Sequence, residues 1–135
     1  MKRVELKIPI EFFDWKYDGK IYPGGKKKSR VKGNCQMFVY EILRANGLTI
    51  PDFRSGQLWD DTLVARKIKK FKVFDILLFH HTKEAYAAHV ALCIGNNRII
   101  HLSKKIGYPV VWTMSEFLKT KRYKYFIGTK RLKKL

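Results

Sequence analysis

Apolar residues recur at helical spacing through Cys35-Gln36-Met37-Phe38-Val39-Tyr40-Glu41-Ile42-Leu43-Arg44-Ala45, just after a loop running from Lys20 to Asn34. Asn34 is a good N-cap and Gly47 a good stop, so the pattern predicts a buried helix between them. Leu48 to Phe53, which contains Pro51, is a short connection, and Ser55 then caps a small helix through Trp59 and Asp61. Beyond this point the pattern turns to strands. Phe74 to Phe79 is a compact apolar run bounded by charged and polar residues. His89 to Ile94 and Arg98 to Leu102 predict two more strands joined by Gly95-Asn96-Asn97, and Val110 to Trp112 another. Thr113 and Glu116 form a capping box that opens a short helix. Lys124 to Gly128 closes the sheet, with Tyr123, Tyr125 and Ile127 on one face. Helices first and consecutive strands afterwards argue an α+β fold: N-terminal helices packed on a mainly antiparallel sheet of about five or six strands. With no repeat and no linker, the 135 residues read as one domain.

The hairpin register decides what the histidines can do. A two-residue turn at Asn96-Asn97 sends His89 and His101 to opposite faces of the sheet. A three-residue loop pairs Ile94 with Arg98 and Ala91 with His101. His89 then lies diagonally from His101 on one face, about 7–8 Å away in backbone terms, with small Ala91 leaving space. Val90, Leu92 and Ile94 face a core. The three-residue register, or a bulge of equivalent effect, is expected.

That register gives Cys35 a context. Its place in the first turn of a helix, among unpaired N–H groups, favours thiolate over thiol. Such a thiol is either an activated nucleophile or a small core residue. Cys35, His89 and His101 together supply a nucleophile, a base and an orienting group. Other polar candidates rank lower. His80-His81 with Glu84 and His89 lack a His-Glu-x-x-His spacing and read as solvated, so no metal and no cofactor are expected. Cys93 shares the face of His89 but sits two pleats away, where packing is its role. Asp75, at a strand start, hydrogen-bonds nearby backbone, while Asp60 and Asp61 form a solvated helix end. Trp59 and Trp112 are core or groove-wall aromatics. Two cysteines are too few for a disulfide framework.

Charge widens the list of partners. Hydrophobic residues at 46% and aromatics at 14% supply a core, yet the net charge is +18. Lys26-Lys27-Lys28, Arg30 and Lys32 crowd the loop before Cys35, and after Glu84 the only acid is Glu116. This field attracts nucleic acid, anionic lipid or a carboxylate-bearing substrate, or it serves solubility alone. No nucleic-acid motif accompanies it. The N-terminal residues Met1 to Glu11 alternate apolar and charged types without a signal-peptide core, and no stretch spans a bilayer. A cytoplasmic location is expected, although export by a dedicated machine or release by lysis leaves no trace in sequence.

Four ordered blocks carry a family resemblance. They are Asn34-Cys35-Gln36-Met37-Phe38-Val39-Tyr40, Phe74 to Phe79, Ala88-His89-Val90-Ala91-Leu92-Cys93-Ile94-Gly95-Asn96, and Ile99-Ile100-His101. Together they resemble the NlpC-type papain-like cysteine peptidases, bacterial cell-wall endopeptidases and their relatives, over nearly the whole chain. The resemblance implies a papain-like fold with Cys35 as nucleophile, His89 as base and His101 as third member. Tyr22 with Gly24 and Gly25 is similar to the family's Tyr-x-x-Gly-Gly stretch, shortened by one residue, which implies a site role for Tyr22. Asn34 and Gln36 stand where the family has the aspartate and serine that read substrate, and Val73-Phe74 replaces its Pro-Gly. The implied substrate is a peptide or amide, in the family's usual form an anionic murein peptide. Cysteine precedes histidine here, as in the peptidase branch and unlike the permuted lipid acyltransferases of the same superfamily. Two alternatives stay open: a polyanion- or nucleic-acid-binding module that retains the fold, and a protein-amide hydrolase acting as a toxin or effector.

Overall fold

A computed structural model of the chain describes residues 5–134. Met1–Val4, where the charge-broken N-terminal segment begins, and Leu135 lie outside the described residues. The first long element is α1 (Cys35–Ala45), and both its ends follow from sequence. Asn34 Oδ1 accepts the Met37 N–H at 2.9 Å, satisfying a donor the first turn leaves free. At the other end Gly47 takes φ +79°, its N–H donates to the Arg44 carbonyl at 3.0 Å, and the Leu48 N–H donates to Leu43 at 3.1 Å. That paired closure needs a left-handed residue, which glycine supplies without strain.

The next helix, α2 (Ser55–Asp60), begins one residue earlier than Ser55 as cap would require. Ser55 is buried as the first helical residue, and the Gln57 carboxamide reaches back to accept the Arg54 N–H at 2.8 Å. Further along come β3 (Ala65–Ile68), β4 (Ile76–His80), β5 (His89–Gly95), β6 (Arg98–Leu102), β7 (Pro109–Trp112), α3 (Met114–Leu118) and β8 (Tyr125–Leu132). The strands form one six-stranded sheet in the order β3-β8-β4-β5-β6-β7, every pairing antiparallel. The fold is therefore α+β, as expected. The Thr113–Glu116 capping box opens α3 as its spacing predicts.

Three departures have physical causes. Ala65-Arg66-Lys67-Ile68 has no apolar alternation to mark it as a strand, and its two cations lie exposed on an edge held only by β8. The closing strand does not stop at Gly128 but runs through it. Gly128 has φ +153°, and a Cβ there would meet the Trp59 ring at 2.4 Å, so the glycine admits the indole rather than ending the strand. Tyr123 belongs to a 3-10 turn (Lys121–Tyr123), not to the strand face shared by Tyr125 and Ile127. It is buried.

Hairpin β5–β6 adopts the bulged solution. Asn96 and Asn97 both have positive φ, +51° and +55°, and form the two-residue turn between Gly95 and Arg98. A bulge between Cys93 and Gly95 absorbs Ile94, after which Cys93 pairs with Ile99 and Leu92 with Ile100. Asparagine tolerates the left-handed region where most side chains do not.

Both faces of the sheet are covered. Val90, Leu92, Ile100 and Leu102 pack with α1, and Phe38 of that helix meets Phe12 and Trp15 from an N-terminal 3-10 turn (Ile10–Asp14). On the opposite face Leu77, Phe79, Ala91, Cys93 and Ile99 pack with Phe117 and Tyr123. Asp75, just before β4, is fully buried. It accepts the Lys72 N–H at 2.9 Å, as a strand-start aspartate should, and also holds Arg131 through two bonds of 2.8 Å. Phe74 beside it has φ +78°, a left-handed backbone where the Pro-Gly pattern would place glycine.

Candidate active site

The start of α1, the start of β5 and the turn before β8 converge on a cleft of about 340 Å³ lined by Tyr17, Cys35, His80, Ala88, His89, Arg122 and Tyr123. Each element delivers its side chain for a local reason. Asn34 fixes the first helical turn, so Cys35 is held at the helix end while remaining partly exposed. His89 is the first residue of β5, at the end of an interior strand, where it is half-buried. Tyr17 arrives on a two-residue strand, β1 (Lys16–Tyr17), paired in parallel with β2 (Lys32–Gly33) immediately before the helix cap.

The two histidines meet. His89 Nε2 lies 2.9 Å from His101 Nδ1, with the rings nearly perpendicular at 87°. This engages Nε2 and leaves Nδ1 as the His89 nitrogen available to the cleft. His101 is fully buried, its centroid 4.4 Å from Trp112 and 4.5 Å from Phe117. Among the described residues its Nε2 has no hydrogen-bond partner. Tyr123 stacks on His89 at 4.4 Å and 24°. One imidazole thus stands at the cleft and the second behind it, both clamped by aromatic rings.

Burial favours the neutral form of Cys35, His89 and His101. Burial lowers His101 to about 3. Burial also holds His89 well below the ordinary imidazole range, helped by His101 and the Arg122 guanidinium. For Cys35 the balance differs from the expectation that a helix start favours thiolate. Burial pushes the thiol up, and the opposing hydrogen-bonding backbone of Val90, Gln36 and Cys35 itself does not cancel it. Free Cys35 and His89 are therefore a thiol and a neutral imidazole, a pair suited to proton transfer during attack rather than a preformed ion pair.

The other sequence-derived positions fall elsewhere. Asn34 is buried, its carboxamide oxygen spent on the helix. Gln36 is also buried, and among the described residues its Oε1 has no hydrogen-bond partner. Tyr22 stands apart from the cleft lining, its ring beneath the Arg54 guanidinium at 4.6 Å. The tyrosines that line the cleft are Tyr17 and Tyr123. Sequence reasoning also missed Arg122 at the cleft and the stacking role of Tyr123, which read as a residue of the closing strand's face. His80 Nδ1 lies 3.0 Å from the Glu84 carbonyl oxygen and so is tied into its own turn. Among the described residues no His, Cys, Asp or Glu cluster is arranged to hold a metal ion. Cys93 is buried in the second core, among Ala91, Ile99 and Phe117.

A cysteine at a helix start and a strand-borne histidine, lining one cleft beside an antiparallel sheet, define a papain-like architecture. The family model of the NlpC/P60 family matches residues 19–126, and the chain belongs to that family, whose members are generally cysteine peptidases or hydrolases. Among solved structures it resembles an NlpC/P60 family protein from Bacillus cereus, with 25% identity and a TM-score of 0.57 over 75% of this chain. It also resembles a protein from Staphylococcus aureus described as similar to lipoprotein, NLP/P60 family, at 20% identity and a TM-score of 0.59 over 91% of this chain. The alignments span only 32% and 39% of those two longer proteins. Comparison with curated proteins gave no match.

Proposed function

We propose that the chain is a thiol hydrolase cleaving a peptide or amide bond, with Cys35 as nucleophile, His89 as base and His101 as the group that orients it. The observation that carries this reading is the 2.9 Å contact between His89 Nε2 and His101 Nδ1 beside a cleft that also exposes Cys35. To take the thiol proton on Nδ1, His89 must carry its own proton on Nε2 and donate it to His101. His101 resists protonation, so it remains an acceptor and fixes that tautomer. Cys35 attacks the carbonyl carbon as its proton passes to His89, giving a tetrahedral intermediate. The backbone N–H of Cys35, in the open first turn, donates to the oxyanion. Collapse expels the amine, which takes the proton from His89, and water then hydrolyses the thioester by the same route in reverse. Arg122 and Lys104 at the cleft edge favour a substrate bearing carboxylates, of which a murein-type peptide is one form.

Incubation with peptide substrates and mass spectrometry of the trapped acyl-enzyme tests this. A substrate-derived adduct on Cys35, lost in Cys35→Ala and reduced about a hundredfold or more in formation rate by His89→Ala, is the expected result. Peptide cleavage that persists in Cys35→Ala would overturn it.

A further inference from the structure

Next to the cleft lies a larger hollow of about 690 Å³, lined by Ser103, Ile106, Trp112, Tyr123 and the cations Lys105, Lys121 and Arg122. The two share His81, Arg122 and Tyr123 as walls. Its inner surface is made by half-buried Trp112 and Ile106 with the ring of Tyr123. The three cations are exposed, and among the described residues none is ion-paired. Among the described residues no carboxylate lines the hollow. An apolar interior behind an uncompensated cationic mouth selects a group of two parts: bulky and apolar within, anionic at the entrance.

Resting on the thiol-hydrolase reading, we infer that this hollow is a specificity subsite for a bulky apolar side chain next to a carboxylate, on an acidic peptide. The space is broad and opens to solvent, which suits a compact aromatic or branched side chain stacking on Trp112. Lys105 and the consecutive pair Lys121 and Arg122 supply the cations that meet the carboxylate.

The test compares alkylation of Cys35 by three probes, chloroacetyl-Phe-Glu, chloroacetyl-Gly-Glu and chloroacetyl-Phe-Lys, each as a ratio to the iodoacetamide rate. The Phe-Glu probe should exceed both others on the order of tenfold. Ile106→Asp, which puts a hydrated carboxylate into the apolar wall, should abolish the preference for Phe over Gly, and Lys105→Gln with Lys121→Gln should weaken the preference for Glu. Equal ratios for all three probes, or a preference for Phe that Ile106→Asp leaves intact, would overturn the subsite while leaving the nucleophile assignment standing. An inert Cys35 would instead overturn the hydrolase reading. In that case calorimetric titration of acetyl-Phe-Glu and acetyl-Gly-Glu into the Cys35→Ala protein still reads the subsite: tighter binding of the Phe peptide supports it, and equal or absent binding rejects it.

Discussion

His101 can orient His89 only as long as it declines a proton itself. Its burial among Trp112, Phe117 and Tyr123 supplies that refusal, since an imidazolium there would lose its hydration without gaining a carboxylate partner. His101→Asn keeps an acceptor oxygen in reach of His89, while His101→Phe removes the acceptor and fills the space. The Phe variant should lose about a hundredfold in kcat and the Asn variant clearly less, with KM little changed in both. Equal losses would mean that His101 acts by packing alone. The neutral ground state also has a signature. Because burial raises Cys35 and lowers His89, the rate of Cys35 alkylation by iodoacetamide should keep climbing with pH beyond 9. A flat rate from pH 5 to 8 would mark a thiolate–imidazolium pair and contradict this electrostatic balance.

Elements carried most of their information in sequence where local chemistry fixed them. Asn34 and Gly47 bracket α1, Thr113 and Glu116 open α3, and the Asn96-Asn97 turn with its bulge puts both histidines on one face. What stayed hidden depends on distant partners. β3 is a strand because β8 pairs with it, and Arg131 meets Asp75 across 56 positions of chain. Tyr17 reaches the cleft only because two-residue strands far apart in the loop region join, which no periodicity announces. Lys130 is similarly inaccessible to pattern reading: a buried lysine in β8 whose ammonium donates to the backbone carbonyls of Trp59 and Asp61, closing the end of α2. The long-range contacts should also dominate mutational cost. Asp75→Ala strands the Arg131 guanidinium, so denaturant unfolding should show a loss of about 3–5 kcal/mol. Gly128→Ala drives a methyl into the Trp59 indole and should cost about 2 kcal/mol or more by the same measurement. A neutral Gly128→Ala would mean that Trp59 has room to move.

At the scale of the whole molecule, two effects make acid destabilising, and they can be separated. The chain already carries +18, and protonating its carboxylates increases self-repulsion, a force that salt screens. The buried histidines act differently. His101 has a folded value of about 3, whereas in the unfolded chain it titrates near 6.5. Between those values the unfolded state binds more protons than the folded one. Stability must therefore rise with pH across that window, being full above about 6.5 and lost progressively as pH falls toward 3. His89, also lowered, contributes with the same sign. Going from pH 7.5 to 4.5, the His101 contribution alone should remove about 3 kcal/mol. Added salt should leave most of it in place, because the ring is shielded by protein rather than by solvent. Urea unfolding of the native chain and of His101→Phe at both pH values, in 0.5 M salt to suppress surface repulsion, isolates this term. The variant should show the smaller acid loss by about that amount. Parallel losses in the two proteins would mean that His101 is readily protonated in the fold, and it would then compete with His89 for the proton rather than orient it.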